Sequence, residues 1–170
     1  MSLTVETGAG IAGAESYATT ATIDTYWAAR TQNALSATWT ALTTAKKDGC
    51  AREATTFVDT TWGPRYRGIR RGQVQGLLWP RTDAMDDAGY PLPDLPPELI
   101  AAVCELAARA ASATLTPDVK AGGGVVKRVK AGSVEVEYES TGNVEKSYPA
   151  VERLLSALTN PAGGQYFGIA

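Results

Sequence analysis

Apolar residues recur every three or four positions along most of the chain, which is the spacing of an amphipathic helix. The pattern is clearest just before Gly63-Pro64, where we expect a helix to end because proline cannot continue it. A second long helix is expected after the paired prolines at 96–97, with Glu98 complementing the helix dipole. The predicted helices lie at about 16–30, 43–62, 96–113 and 149–158.

The pattern changes from helical spacing to alternation near the C-terminal third of the chain. Apolar and acidic residues alternate over 133–139, as in a strand with one buried face. A β-rich stretch over 125–130 precedes it, and Ala131-Gly132 between the two favours a turn. We therefore predict a β-hairpin over 124–139. The expected fold class is mainly α: a small helical bundle of about four helices with this hairpin and an extended C-terminal tail.

The loop over 75–97 begins with large apolar side chains. Leu77, Leu78 and Trp79 would each contribute about 1.5–3 kcal/mol if buried, so we expect them to hold the loop in one shape, with Trp79 in the core. Loops that a scaffold holds in this way commonly contact a partner. Arg81 follows, and we expect its side chain at a protein–protein contact.

The composition describes one ordinary soluble domain. Of the 170 residues, 44% are hydrophobic and 20% are charged, which is enough for a sizeable core. The net charge of −2 provides no general attraction to nucleic acid or to an anionic membrane. No apolar run approaches the roughly 20 residues of a membrane span, and no signal-peptide pattern opens the chain. We expect a protein made in the cytoplasm, with a single domain over 1–158, an extended arm over 1–15 and a tail over 159–170.

The chain contains no histidine. This excludes Ser-His-Asp triads, Cys-His dyads and histidine-ligated metal sites. Cys50 and Cys104 are too few for a disulfide scaffold or a zinc knuckle, and we expect both to be small buried hydrophobes. No enzyme activity, cofactor or metal is therefore predicted, and a lid formed by the 75–97 loop would have no active site to cover.

Two short motifs suggest ligands but lack the rest of their patterns. The run Gly8–Gly13 matches G-x-G-x-x-G, yet it lacks the flanking buried strands that a dinucleotide fold requires, so we interpret it as a flexible arm. The aspartates over 83–94 suggest calcium, but Ala88 occupies the position where an EF-hand needs glycine. A solvated acidic loop is expected there.

Four arginines fall within seven positions shortly after Trp62 and are interleaved with Tyr66. Arginine and aromatic side chains together are typical of phosphate contact and base stacking. The alternative is that these arginines pair with carboxylates, either within the chain or on a neighbouring subunit, and the balanced net charge favours such pairing. The arginines are Arg65, Arg67, Arg70 and Arg71, and the candidate carboxylates include Glu135, Glu137 and Glu139 of the predicted hairpin.

The order of these features resembles the head–tail connector, or adaptor, family of tailed bacteriophages, some of whose members are named as primosomal-type single-stranded-DNA-binding proteins. The resemblance covers roughly 14–158 and lies in the order and spacing of short motifs. The matching residues are Ser16-Tyr17, Asp24 and Tyr26; Ala51, Ala54-Thr55 and Asp59; Arg67-Gly68; Gln75, Leu77 and Trp79-Pro80-Arg81; Gly89; Pro96-Pro97 and Leu99-Ile100; Glu137-Tyr138; Val151 and Leu154-Leu155.

The resemblance implies a structural virion protein of the neck, made in the host cytoplasm. About twelve copies would form a homo-oligomeric ring that matches portal symmetry. The ring would bind the portal protein and tail-side neck or tail proteins, and genomic DNA would pass through it without sequence-specific binding. A C-terminal segment commonly docks onto the portal in such adaptors, which would give Tyr166, Phe167 and Ile169 a groove to enter.

Complementary charge is our hypothesis for the register of such a ring. The alternative function is that of a single-stranded-DNA-binding replication accessory protein, which the arginine–aromatic segment supports. The predicted subunit or tail interface comprises Arg65, Arg67, Arg70, Arg71, Arg81, Asp83, Asp86, Asp87, Glu135, Glu137 and Glu139.

Overall fold

The computed structural model describes residues 3–116, 126–130, 135–138 and 147–161. The chain divides into two compact units. One comprises Met1–Leu115 and Tyr148–Ala170, and the other is Thr116–Ser147. The sequence suggested a single domain over 1–158, whereas in the structure the hairpin segment forms a unit of its own within that range.

The described residues of the first unit are mainly helical, and the second unit contains a two-stranded antiparallel hairpin. The predicted fold class, mainly α with one β-hairpin, is confirmed. The structure describes five α-helices where the sequence predicts about four, and the additional helix, α2, is only seven residues long. The elements are α1 (Thr20–Ala28), α2 (Ala34–Thr40), α3 (Thr44–Trp62), a 3-10 turn (Gly63–Arg65), β1 (Ile69–Arg70), β2 (Arg81–Thr82), α4 (Pro97–Ala110), β3 (Val126–Lys130), β4 (Glu135–Tyr138), α5 (Pro149–Leu155) and a second 3-10 turn (Ser156–Leu158).

Side-chain caps determine where the first two helices begin. The Thr19 hydroxyl accepts the Thr22 N–H at 3.0 Å, so α1 starts at residue 20 and not at the predicted 16. The Asn33 side chain accepts the Leu35 N–H at 3.0 Å and starts α2. Both residue types are preferred caps because their side-chain oxygens satisfy N–H groups that have no partner within the helix.

The core of the first unit lies around α3 and α4, which pack against each other. Both helices bury alanines, and small side chains allow their backbones to approach closely. Trp27 from α1 is fully buried, and its indole N–H donates to the Cys104 carbonyl at 3.0 Å. Cys104 is fully buried as predicted, whereas Cys50 is only partly buried. None of the described helices is long and apolar enough to cross a membrane.

The glycine-rich N-terminal segment is a closed loop around a buried carboxylate. Glu6 is only 1% exposed, and its two oxygens accept four backbone N–H groups at 2.8–3.0 Å. Positive φ angles at two glycines, 94° and 78°, let the backbone curl around the carboxylate. The structure thus corrects the interpretation of a flexible arm: the G-x-G-x-x-G run binds the chain's own side chain. The donors are Thr7, Gly8, Gly10 and Ile11.

The first residues of the predicted tail pack against the segment that follows α3. The Asn160 N–H donates to the Arg65 carbonyl at 2.7 Å. Thr159 forms an antiparallel bridge with Tyr66 and is buried. The predicted tail over 159–170 therefore begins within the helical unit.

In the second unit, β3 and β4 pair in antiparallel fashion. Their register places Arg128 opposite Glu137 and Lys130 opposite Glu135. The positions that face these two glutamates along the ladder are therefore basic residues of the same hairpin.

Candidate functional site

The 75–97 loop is anchored by Asp59, which lies in the last turns of α3. Its carboxylate accepts the Tyr17 hydroxyl at 2.8 Å and the Leu78 N–H at 3.0 Å. The Tyr17 hydroxyl in turn accepts the Trp79 N–H at 3.0 Å. Two successive backbone N–H groups of the loop are thus held by one carboxylate, the second of them through a tyrosine.

Trp79 lies in the core, as predicted, and is fully buried. Its indole N–H donates to the Pro93 carbonyl at 3.2 Å, and its ring meets Tyr66 edge-on with 5.7 Å between centroids. The Trp79-Pro80 peptide bond is cis. Leu77 and Leu78 are partly buried against the same core. Burial and hydrogen bonding therefore act together on this loop.

Arg81 connects the loop to the segment that follows α3. Its guanidinium donates to the carbonyls of Arg67 at 2.6 Å, Gly68 at 2.5 Å and Leu78 at 3.2 Å. The guanidinium carbon lies 5.8 Å from the centroid of the Tyr66 ring, and partial burial lowers the pKa of Arg81. These contacts give Arg81 a role in shaping its own chain. Its place at a protein–protein contact stays a prediction.

Burial also raises the pKa of Asp59 and of Tyr17, the two groups that anchor the loop. Removal from water raises the pKa of Asp59 above its ordinary value, although the hydrogen bonds from Leu78 and Tyr17 oppose that rise. Burial, together with the nearby Asp59 charge, raises the pKa of Tyr17 far above its ordinary value. Tyr17 therefore stays protonated and keeps its hydroxyl as a donor to Asp59.

Three of the four arginines that follow Trp62 are bound by the chain itself. Each donates to a backbone carbonyl, and two also pair with a carboxylate of the acidic loop. Of the alternatives that the sequence left open, these contacts favour pairing within the chain. The partners are Asp87 and the Met85 carbonyl for Arg67, the Gln75 carbonyl for Arg70, and Asp94 and the Gly8 carbonyl for Arg71.

The aspartates of the loop have different roles. Asp83 is exposed and adopts a positive φ of 56°, and Asp86 accepts the N–H groups of Ala88 and Tyr90 at 2.9 and 2.8 Å, closing a turn. Arg71 lowers the pKa of Asp94 through their hydrogen bond. Among the described residues, no group of three or more potential metal ligands comes together.

A cleft of about 500 Å³ opens beside the end of α3. Arg65 and Arg67 border it, and so do two carboxylates, Asp87 and Glu152. Within the part of the chain that the structure describes, Arg65 forms no salt bridge. Asn160 contributes an amide to the same lining. The guanidinium groups and the amide are materials for binding an anion. The two carboxylates oppose such binding.

A second surface feature is apolar. Ile69, Val74, Met85 and Tyr90 are 64%, 79%, 50% and 70% exposed. Ile69 lies in β1, Val74 just before the anchored loop, and Met85 and Tyr90 within it. Single exposed apolar residues are common, but four large ones within 22 consecutive residues favour a contact surface.

Comparison with known protein families identifies the chain. A family model described as "Putative DnaT-like ssDNA binding protein" matches residues 1–169. The chain belongs to this family. This description agrees with the primosomal-type name that some members of the connector family carry. It gives no support to a role as a bacteriophage connector. Neither the curated proteins nor the solved structures provided a match.

Several predicted site residues of this DnaT-like chain cannot be placed in the site. Glu135 and Glu137 lie in β4, in the unit that contains the hairpin. The remaining ones lie outside the described residues, so their predicted docking and interface roles stay predictions. These are Glu139, Tyr166, Phe167 and Ile169.

Sequence reasoning assigns no role to several residues on which this site depends. The sequence brings in Asp59 and Tyr17 only through a resemblance, and it places Asn160 in the predicted tail. A signal for Asp59 was present, because it follows Val58 directly and lies at the edge of the apolar stripe of α3. A carboxylate at such a border commonly has a specific partner.

Proposed function

We propose that this DnaT-like protein binds single-stranded DNA without sequence preference, as a replication accessory protein. Family membership over residues 1–169 carries the proposal. The cleft bordered by Arg65 and Arg67 supports it, because guanidinium groups bind phosphates well. With a net charge of −2 and most of the loop arginines already bound, we expect only moderate affinity.

Fluorescence anisotropy with a labelled oligothymidine of about 16 nucleotides tests this function. We expect micromolar affinity that falls steeply with salt, since each phosphate contact adds a slope of about −0.7 to log K against log salt. A duplex of equal length serves as the control and should bind more weakly. Absence of binding at about 150 mM salt would end the proposal.

The second candidate is the structural role of a head–tail connector in the virion neck. A specific observation favours it: four large apolar side chains are exposed over 69–90, two of them in the loop that Trp79 and Asp59 hold in place. In this candidate function the protein forms a ring of about twelve copies under the portal protein. The ring joins the portal to tail-side proteins and lets genomic DNA pass.

Electron microscopy of the protein mixed with its cognate portal tests the connector role, and a ring below the portal is the expected result. Deleting 162–170 tests tail docking, and it leaves Thr159 and Asn160 in their places against Tyr66 and Arg65. Undiminished portal binding by that variant in a pull-down would reject the docking hypothesis. Assembly that survives charge reversal at Arg70 would count against a charge-set ring register.

A further inference from the structure

We infer that the cleft beside α3 binds a phosphate group of the DNA strand, and that Asp87 competes with that phosphate for Arg67. The inference rests on the proposed single-stranded-DNA binding and names its site. Arg67 is held from two sides by the carbonyls of Met85 at 3.1 Å and Thr159 at 3.3 Å. Asp87 pairs with the same guanidinium at 2.5 Å.

The two partners in this ion pair differ strongly in exposure. The Arg67 side chain is 15% exposed, whereas that of Asp87 is 89% exposed. Arg67 keeps its two carbonyl acceptors if Asp87 leaves, so its position survives the exchange. The turn that contains Asp87 also survives, because Asp86 holds it through the N–H groups of Ala88 and Tyr90. Asp87 is therefore a replaceable anion on a fixed cation.

Charge balance around the cleft makes Asp87 a determinant of affinity. Among the residues that the structure describes, Arg65, Arg67, Asp87 and Glu152 border the cleft, which gives two cations and two carboxylates. A phosphate that displaces Asp87 gains two guanidinium groups, which bind phosphate in a charge-assisted geometry. The cleft volume of about 500 Å³ is within the usual range of ligand sites and accommodates a nucleotide unit.

Four single variants test the inference by anisotropy with the same oligothymidine. Arg65→Ala should weaken binding about threefold or more and reduce the salt slope by about 0.7, the share of one phosphate. Asp87→Asn should strengthen binding about two- to fivefold, because it removes a competitor of modest strength. Lys46→Ala and Asp83→Asn are matched charge controls and should change affinity less. Lys46 precedes Trp62 by 16 residues of α3, which places it about 24 Å from the cleft.

The outcomes distinguish a failure of the cleft inference from a failure of the proposed DNA-binding function. If the wild type binds and neither Arg65→Ala nor Asp87→Asn differs from its control, the cleft inference fails and DNA binding stands. If the wild type does not bind the oligonucleotide, an NMR titration with inorganic pyrophosphate decides the rest. Chemical-shift changes at the Arg67 and Asn160 amides would support an anion site in the cleft, although the proposed DNA-binding function would have failed. Unchanged spectra would overturn both the anion site and the DNA-binding function. Thermal melts confirm that each variant is folded.

Discussion

Asp59 lies at the end of a helix whose other inward side chains are mainly apolar, and its carboxylate provides acceptors for the loop that follows. Replacing it by alanine leaves the Tyr17 hydroxyl and the Leu78 N–H without this acceptor. A buried donor without a partner costs about 1–3 kcal/mol, so we expect the free energy of unfolding to fall by about 2–4 kcal/mol. Urea denaturation followed by tryptophan fluorescence measures the change.

Asp83→Asn is the matched control for this substitution. Asp83 is exposed with a φ of 56°, a conformation that asparagine tolerates well, so its replacement should leave the free energy of unfolding nearly unchanged. Similar losses in the two variants would show that Asp59 has no special role in holding the loop.

The same residue predicts part of the pH dependence of stability. Burial raises the pKa of Asp59 in the folded state above its ordinary value of 3.8. The folded state therefore holds this proton more tightly than the unfolded state. The resulting stabilisation is complete below the ordinary pKa and is lost as the pH rises through the raised folded value.

The Asp59→Asn variant has no titratable group at this position, so it should not lose this stabilisation as the pH rises. We expect the difference in unfolding free energy between wild type and variant to change with pH from about pH 4 upward. Denaturation at several pH values up to about pH 7 measures it. A constant difference across this range would contradict a raised pKa for Asp59.

At the scale of the elements, alanine substitutions at two glycines should change the free energy of unfolding in opposite directions. Gly68 precedes β1 with a φ of +70°, and a Cβ there would lie 2.3 Å from the Thr82 carbonyl oxygen of β2. Gly49 lies within α3, and a Cβ there would meet no atom within 4 Å. Gly68→Ala should lower the free energy of unfolding by about 2 kcal/mol or more. Gly49→Ala should raise it by about 1 kcal/mol, because alanine favours a helix.

Urea denaturation of both variants checks this pair, and each serves as the other's control for the added methyl group. A neutral Gly68→Ala variant would mean that the β1–β2 connection is not held as the structure has it.

Glu6 makes the N-terminal loop an element with its own stabilising interaction. Glutamine in its place would present an NH₂ group to the backbone N–H groups, so we expect the loop to open more often. Hydrogen exchange at Gly8, Gly10 and Ile11 should accelerate about tenfold or more, since charge-assisted hydrogen bonds are lost. Glu98→Gln, in the first turn of α4, is the control on a carboxylate outside this loop. Equal exchange rates in wild type and Glu6→Gln would contradict the role of Glu6.

The helices that the sequence predicted best are those with long apolar stripes, α3 and α4. α2 has only seven residues, and its start depends on a hydrogen bond from the Leu35 N–H to Asn33. The loop around Glu6 has no periodicity, and its closure depends on φ angles that glycine permits but does not require. Short elements and closed loops are therefore set by local polar contacts, which hydrophobic spacing does not report.

The candidate site shows the same limit. Residue type and clustering predicted that the arginines around 65–71 matter, and the structure brings Arg65 and Arg67 to one cleft. The partners of Arg67 are backbone carbonyls and an aspartate distant in the sequence, such as Thr159 and Asp87. Spacing along the chain carries no information about which carbonyl a guanidinium reaches in three dimensions.

At the scale of the whole molecule, most of the arginines near the loop pair within the chain, whereas some apolar side chains there are exposed. Val74 and Tyr90 are 79% and 70% exposed. Serine at both positions should change the free energy of unfolding by less than about 1 kcal/mol, because little area is buried there. If the protein is a connector, the double variant should lose portal binding while its oligothymidine affinity stays unchanged.

The DNA-binding function predicts a different result for the same double variant. If Tyr90 stacks on a base, oligothymidine binding should weaken about fivefold or more, and portal binding would not be expected in the wild type. Lys46→Ser is the exposed control for both assays. Measuring both affinities on one preparation therefore compares the two functions directly. If the double variant behaves as the wild type in both assays, Val74 and Tyr90 contribute neither to portal binding nor to DNA binding.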